Sequence, residues 1–142
     1  MIAVDSNLLV YAHRTGTPQH RASRRAIERA AADDAGWGIA VATMSEFWSV
    51  VTHPSARPRP SRPREAAAFL RILSEDAGMR VWAPGADFGN RLLQLALDLD
   101  VSGPRVFDLQ IALTVFEHGA HELWTHDERF VRVPGLRVID PL

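Results

Sequence analysis

Residues 2–12 read IAVDSNLLVYA, an apolar tripeptide followed by three polar residues and a second apolar run. The tripeptide is short enough for a buried β-strand, and Asp, Ser and Asn commonly cap helix N-termini. The segment therefore predicts a strand that ends at Asp5 and runs directly into a helix. The carboxylate of Asp5 then lies at the carboxyl end of the first strand.

The rest of the chain repeats this alternation of strand and helix. Short apolar stretches predict further strands at 37–42, 80–82, 122–124 and 137–139. Helical spacing predicts helices after Pro18 to Ala32, from about Met44 to Val51, from Pro63, from about Asp87 to Leu99, and from Phe107 or Asp108 to His118. Such alternation predicts an α/β fold with a parallel sheet covered on both faces. We expect residues 1–142 to form a single domain.

Composition limits the chemistry that the chain can use. Its 142 residues are 46% hydrophobic and carry a formal net charge of -1, which is typical of globular proteins and gives no bulk signal for nucleic acid. No apolar run approaches the roughly 20 residues of a membrane span, and the opening lacks the features of a secretory signal. We therefore expect a cytoplasmic protein without membrane contact. Because cysteine is absent, any metal must be held by oxygen or imidazole.

Four acidic residues stand where parallel sheets place their active sites. Asp5 and Asp127 follow predicted strands, Glu46 lies just past another, and Asp108 begins a predicted helix. In open α/β sheets, ligands gather at the carboxyl ends of the strands. We therefore expect the four carboxylates to meet at one edge of the sheet.

Several carboxylates at one edge of the sheet predict a bound cation. Groups within about 4 to 6 Å of one another raise each other's pKa, and a divalent cation removes that cost. Hard oxygen ligands suit Mg²⁺ or Mn²⁺, which commonly bridge carboxylates to substrate phosphates. The implied reaction is phosphodiester hydrolysis, with one metal ion, or two about 3.5 to 4 Å apart, activating a water molecule and stabilising the leaving oxygen.

Each acid also has a purely structural explanation. Asp5 suits a helix N-cap, and Glu46 completes a capping-box pattern that starts at Thr43. Asp108 would favour its helix dipole, and Asp127 lies at a turn within a second such pattern, residues 125–128. Capping does not require acids after three strands and at a helix start within one small domain. We therefore favour a shared site.

The ordered motifs resemble the PIN domain family, and more narrowly its VapC-type toxins. Residues 2–12 resemble the family's first strand followed by D-[ST]-N. TMSEF at 43–47 is similar to its second acidic segment, DLQIA at 108–112 to its third, and THDERF at 125–130 to its T-x-D-x-x-F element. The tail VPGLR at 133–137 is similar as well, so the resemblance covers essentially the whole chain.

This resemblance implies a three-layer α/β/α domain around a central parallel sheet, an endoribonuclease that uses Mg²⁺ or Mn²⁺, a homodimer and a cognate antitoxin. It implies a catalytic metal site of four carboxylates, with the first and third as direct ligands: Asp5, Glu46, Asp108 and Asp127. Asn7 and Thr125 would orient carboxylates through hydrogen bonds, although capping explains them equally well. Many relatives carry another acid near the third segment, whereas residues 103–107 read GPRVF here, so the number of ligands stays open.

Two other functions fit the same residues. One is a non-catalytic PIN-like module that binds RNA or a protein without cutting. The other is a different phosphoryl-transfer enzyme or a DNA nuclease, because carboxylate–metal chemistry does not itself read the 2′-OH. A D-x-D-x-T signature and a Walker-type glycine loop are both absent, which argues against phosphatases and nucleotide-binding enzymes of those types.

Several further residues have open interpretations. The arginines in and beside the proline-rich loop 54–63 could form a phosphate-binding edge, although a solvated loop is the simpler explanation: Arg57, Arg59, Arg62 and Arg64. His126 adjoins Asp127 and could reach substrate. An apolar helix face would serve a dimer or an antitoxin helix equally well: Phe47, Trp48, Val50 and Val51. We expect the other tryptophans in the core, and substrate specificity in loops 14–20 and 54–63.

Overall fold

The computed structural model describes residues 1–142, in which five short strands alternate with six helices. The strands are β1 (Ile2–Val4), β2 (Trp37–Ala40), β3 (Arg80–Trp82), β4 (Glu122–Trp124) and β5 (Arg137–Ile139). The helices are α1 (Ser6–His13), α2 (His20–Ala31), α3 (Val41–Thr52), α4 (Pro63–Glu75), α5 (Phe88–Asp98) and α6 (Arg105–Glu117). None of the helices combines the length and the apolar character needed to cross a membrane.

The strands form one parallel sheet in the order β3-β2-β1-β4-β5, which confirms the predicted fold class. Strand β1 lies at the centre, where Ile2 pairs with Trp37 on one side and with Glu122 on the other. Because β1 is central, the residue after it lies in the middle of the sheet's carboxyl edge. This topology places Asp5 there.

Both faces of the sheet are covered, giving three layers. Side chains alternate along β1, so that Ile2 and Val4 pack on one face and Ala3 packs on the other. Helices α1 to α4 bury the first face, with Leu8 and Phe47 completely inaccessible to solvent. Helices α5 and α6 cover the second face. Burial of these apolar surfaces is the main term that stabilises the sheet and fixes its edge.

The tryptophans divide as predicted. Trp37, Trp82 and Trp124 are buried, whereas 38% of Trp48 is exposed. The indole nitrogen of Trp37 donates a hydrogen bond of 2.7 Å to the carbonyl oxygen of Ala77, so its polar atom is satisfied within the core.

Two boundaries differ from the sequence prediction. Strand β2 ends at Ala40 rather than at residue 42, and α3 begins at Val41 rather than near Met44. Periodicity cannot separate a strand from the first turn of a buried helix in a short apolar run. Helix α6 begins at Arg105, directly after Pro104, whereas Phe107 or Asp108 was predicted. Both differences move a candidate acid deeper into its helix.

Gly38 allows β2 and β3 to approach closely. A Cβ atom at this position would overlap the carbonyl oxygen of Arg80 and lie 3.0 Å from the ring of Trp82. We expect Gly38→Ala to lower the free energy of unfolding by about 1 to 3 kcal/mol, because the neighbouring backbone would have to shift. Gly89→Ala is the matched control, since nothing lies within 4 Å of its added methyl in α5 and alanine favours helix. Equal urea midpoints for the two variants would contradict this packing.

Candidate active site

The four acids predicted from the sequence lie around one cavity at the carboxyl edge of the sheet. Asp5 follows β1, Glu46 lies in α3, Asp108 lies in the first turn of α6, and Asp127 follows β4. The cavity measures about 370 Å³ and is also lined by Ser6, Asn7, Val10, Tyr11 and Val50. Residues separated by more than a hundred positions in the chain therefore meet here because the strands are parallel.

Asp5 is the most buried of the four, with only 5% of its surface exposed. Its Oδ1 accepts a hydrogen bond of 2.7 Å from the backbone N–H of Ser6, so it also caps α1 as the structural explanation required. Burial raises the pKa of this carboxyl from 3.8 to about 6, and the charges of Glu46 and Asp108 add to that rise. The hydrogen bonds from Thr125 and Ser6 oppose it. Asp5 thus caps α1 and also belongs to the acidic cluster.

Asn7 and Thr125 hold the second oxygen of Asp5. The Thr125 hydroxyl donates to Asp5 Oδ2 at 2.7 Å, and the Asn7 side-chain amide donates to the same atom at 3.0 Å. The Thr125 hydroxyl oxygen also accepts from Asn7 Nδ2 at 2.8 Å and from the backbone N–H of Asp127 at 3.1 Å. The network joins the segments after β1 and β4, and it fixes the orientation of the Asp5 carboxylate.

Glu46 does not take part in a capping box. Helix α3 starts at Val41 and has no side-chain cap, so Thr43 lies inside the helix rather than before it. The hydroxyl of Thr43 is fully buried and has no hydrogen-bond partner. The carboxylate of Glu46 instead accepts a hydrogen bond of 2.8 Å from the Ser6 hydroxyl, across from α1. The capping explanation for Glu46 is therefore wrong.

Asp108 and Asp127 both form ion pairs with Arg105, a residue of the same chain. Arg105 Nη1 lies 2.8 Å from Asp108 Oδ2 and 3.6 Å from Asp127 Oδ2. Sequence reasoning missed this residue, which appeared there only as part of the unusual 103–107 segment. The three-residue spacing from Arg105 to Asp108 was the available signal, because residues so spaced are neighbours on a helix surface.

The structural explanations for these two acids hold only in part. Asp108 lies in the first turn of α6, where its charge favours the helix dipole as predicted, and it forms no side-chain cap hydrogen bond. Asp127 does stabilise a turn, because its Oδ1 accepts a hydrogen bond of 2.8 Å from the backbone N–H of Arg129. Its other carboxylate oxygen faces Arg105. Each acid therefore keeps carboxylate oxygen that local structure does not use.

The donor set fits a hard divalent cation in its chemistry. The charged side chains that line the cavity are all carboxylates, and oxygen ligands without thiolate are those that Mg²⁺ and Mn²⁺ prefer. No three acidic or imidazole groups already stand in a complete ligand arrangement. Arg105 holds two of the carboxylates, Asp108 and Asp127, in ion pairs. A cation here would be held by Asp5 together with carboxylates released from Arg105.

His126 contacts two residues that line the cavity, Asn7 and Tyr11. Its backbone N–H donates to Asn7 Oδ1 at 3.1 Å, and its ring lies edge-on to Tyr11 with centroids 6.1 Å apart. Its Nδ1 lies 2.8 Å from the carboxylate of Asp140. These contacts fix the imidazole of His126 against Tyr11 and Asp140.

Comparisons with known proteins identify proteins of similar sequence and fold. The PIN domain family model matches residues 2–136. Ribonuclease VapC43 of Mycobacterium tuberculosis is 35% identical over 143 residues, covering 100% of this chain and 96% of that protein. Among solved structures, VapC20 of Mycobacterium tuberculosis, described as a sarcin-ricin loop cleaving toxin, has a TM-score of 0.68 at 17% identity over 92% of each chain. VapBC2 from Rickettsia felis, bound to a promoter DNA fragment, has a TM-score of 0.70 at 19% identity over 98% of each chain.

The two levels of comparison support different statements. The solved structures, at 17% and 19% identity, show that the fold is shared. The family match and the full-length identity to a VapC ribonuclease show the family as well as the fold. The chain therefore belongs to the PIN domain family, among its VapC-type members.

Proposed function

We propose that this protein is a metal-dependent endoribonuclease and the toxin of a toxin–antitoxin pair. The observation that carries the proposal is the convergence of four carboxylates on one cavity, among them the buried carboxylate of Asp5. Membership among VapC-type proteins, with a ribonuclease as relative, supplies RNA as the substrate class.

Each acid has a role in this proposal. Asp5 and Asp108 bind Mg²⁺ or Mn²⁺ directly, and Glu46 and Asp127 complete the site. A divalent cation supplies the charge that activates a water molecule for attack on phosphorus and offsets negative charge on the leaving oxygen. The hydroxyl of Thr125 and the amide of Asn7 keep the Asp5 carboxylate aimed at the cavity, as the hydrogen bonds to Oδ2 indicate. Ser6 does the same for Glu46.

Arg105 controls how readily the acids accept the cation. Its guanidinium pairs with both Asp108 and Asp127, so a metal ion must compete with it. We expect Arg105→Gln to tighten Mn²⁺ binding about fivefold, since loss of partly exposed ion pairs is worth about 1 kcal/mol. Calorimetric titration with Mn²⁺ measures this change.

Arg129→Gln is the matched control for Arg105. Arg129 Nε also approaches Asp127, at 3.8 Å, but its side chain is 82% exposed and contacts no second carboxylate. Its variant should bind Mn²⁺ with wild-type affinity. Weaker Mn²⁺ binding by Arg105→Gln would mean that Arg105 positions the carboxylates instead of competing for them.

The toxin assignment also implies partners. We infer a homodimer and an antitoxin, and the apolar face predicted on α3 bears on both. Phe47 and Val51 are fully buried in the core, so only Trp48 and Val50, 38% and 47% exposed, remain for a partner. Val50 also lines the acidic cavity, so a partner bound to this face would lie beside the site. Light scattering after size exclusion, which should give twice the chain mass of 15.8 kDa, tests the homodimer.

The direct test of function uses paired RNA and DNA pools of the same sequences with Mg²⁺, with Mn²⁺ and with EDTA. Metal-dependent cutting of RNA alone is the expected result. Binding of RNA without cutting under every condition would favour the non-catalytic module. Equal cutting of DNA would favour a nuclease that does not read the 2′-OH.

A further inference from the structure

A second cavity lies at the opposite end of α1 from Asp5. It measures about 620 Å³, and none of its ten lining residues is hydrophobic. Three of them are arginines: Arg14, just after α1, and Arg57 and Arg59, in the loop before α4. The guanidinium groups of these arginines suit an oxyanion.

Arg14 builds this cavity and keeps its charge. Its guanidinium donates hydrogen bonds of 2.6 and 3.4 Å to the carbonyl oxygens of Arg59 and Arg57, and one of 2.7 Å to that of Val51. All three acceptors are neutral carbonyl groups. Arg14 therefore fixes the arginine loop against α3 while its positive charge remains uncompensated by any acid.

The only acidic group in the lining is already neutralised. Glu65 is bound by both terminal nitrogens of Arg59, at 2.9 and 3.1 Å, and its carboxylate also accepts from the backbone N–H of Arg62. These contacts lower the pKa of Glu65 to about 2. Arg57 forms no ion pair. The cavity therefore carries a net excess of two positive charges, from Arg14 and Arg57.

The imidazole of His13 lies beside these positive charges. His13 contacts the Ser61 hydroxyl at 2.9 Å, and its pKa is lowered by burial first and then by the charge of Arg14. Ser61 is itself 8% exposed, so the wall between α1 and the loop is tightly held. Arg14 and His13 thus hold the base of the cavity through hydrogen bonds, whereas Arg57 and Arg59 are exposed at its surface.

The acidic site alone repels a polyanion, and the whole chain has a net charge of -1. An RNA strand therefore gains from a positive anchor at a distance from the carboxylates. Helix α1 has eight residues, which corresponds to about 12 Å along its axis. The acidic cavity and the arginine-lined cavity therefore lie at opposite ends of this helix.

On these grounds, and resting on the proposed ribonuclease function, we propose that the cavity of Arg14, Arg57 and Arg59 binds the phosphate backbone of the RNA substrate. The cavity binds a phosphate group at a distance from the bond that is cut. Arg57 contacts the phosphate, and Arg14 positions the loop that carries it.

The test measures binding of a fluorescent single-stranded RNA in EDTA, where the metal-dependent reaction does not run, across a series of salt concentrations. We expect Arg57→Gln to weaken binding three- to tenfold near 0.1 M salt. The slope of log affinity against log salt should fall by about 0.7, the value for one phosphate contact on a single strand. Arg64→Gln is the control, because Arg64 is exposed on α4 outside the cavity and its loss changes net charge equally.

The outcomes separate this inference from the proposed function. Cleavage and RNA binding by the wild type, with equal effects of Arg57→Gln and Arg64→Gln, would overturn the anchor alone. A wild type that neither binds nor cuts RNA would overturn the proposed function as well. Inorganic phosphate and a mononucleotide form a further arm, and their tight binding at Arg57 without any change in RNA affinity would assign the cavity to a small phosphate compound instead.

Discussion

Asp5→Asn is expected to lower the rate of RNA cleavage by about a thousandfold while leaving the fold intact. The asparagine amide keeps the size and one oxygen of the side chain, so the cap on α1 survives. It loses the negative charge that holds a divalent cation beside the other carboxylates. Removal of one group that stabilises transition-state charge commonly costs 100- to 1,000-fold, and a metal ligand lies at the upper end.

Without metal, the same variant should avoid a loss of stability that the wild type undergoes as the pH rises, although it gives up the hydrogen bonds that Asp5 Oδ2 accepts from Thr125 and Asn7. The pKa of Asp5 rises from 3.8 to about 6 on folding, mainly through burial. A carboxyl with a raised pKa stabilises the folded state below pH 4, and this contribution is lost as the pH rises to about 6. Since a tenfold change in proton affinity is worth about 1.4 kcal/mol, the loss amounts to about 3 kcal/mol. The asparagine variant does not titrate and avoids this loss.

Urea unfolding in EDTA at pH 4 and at pH 7 measures the difference. The free energy of unfolding of Asp5→Asn, relative to that of the wild type, should be higher at pH 7 than at pH 4. Asp34→Asn, at an exposed turn position, is the control and should change neither cleavage nor stability. A variant of Asp5 that cut RNA at the wild-type rate would refute the assignment of the site.

Thr125→Val should weaken Mn²⁺ binding by 10- to 100-fold, the effect typical for loss of a hydrogen bond that orients a ligand. Valine has nearly the volume of threonine, so the buried position stays filled, but Asp5 Oδ2 loses its 2.7 Å donor. The backbone N–H of Asp127 and the amide of Asn7 lose their acceptor as well. Calorimetric Mn²⁺ titration measures the affinity, and cleavage should fall in parallel.

Thr114→Val provides the matched control for Thr125. Thr114 is equally buried, but its hydroxyl donates only to the Gln110 carbonyl oxygen within α6. Its variant should lose some stability and keep the wild-type Mn²⁺ affinity. Equal affinities for the two valine variants would show that the Thr125 hydroxyl does not orient the site.

The fold and the acidic site could be predicted from the sequence wherever local sequence signals and sheet topology lead to the same result. A short apolar run followed by Asp5 predicts both a strand end and a helix cap, and both are present. The alternation of strands and helices then requires parallel pairing, which brings Asp127 from the far end of the chain to the same edge. The meeting of the acids at one cavity follows from these two rules.

Other features depended on contacts that local patterns do not encode. The capping box at Thr43 was wrong because α3 begins earlier, so a polar pattern that looks like a cap lies inside the helix. Arg105 reaches Asp127 only because α6 packs beside the segment after β4. Arg14 begins a loop that was expected to carry specificity, but its own contacts could not be predicted, since its acceptors are carbonyl groups up to 45 residues away. Pairings of this kind arise from tertiary structure alone.

The most direct test of the metal centre is the anomalous scattering of Mn²⁺ in crystals of the wild-type protein. The account predicts a peak within coordination distance of the Asp5 and Asp108 carboxylates, with Arg105 turned away from Asp108. Absence of a peak in this cavity at a saturating Mn²⁺ concentration, while the same protein cleaves RNA with Mn²⁺, would contradict it.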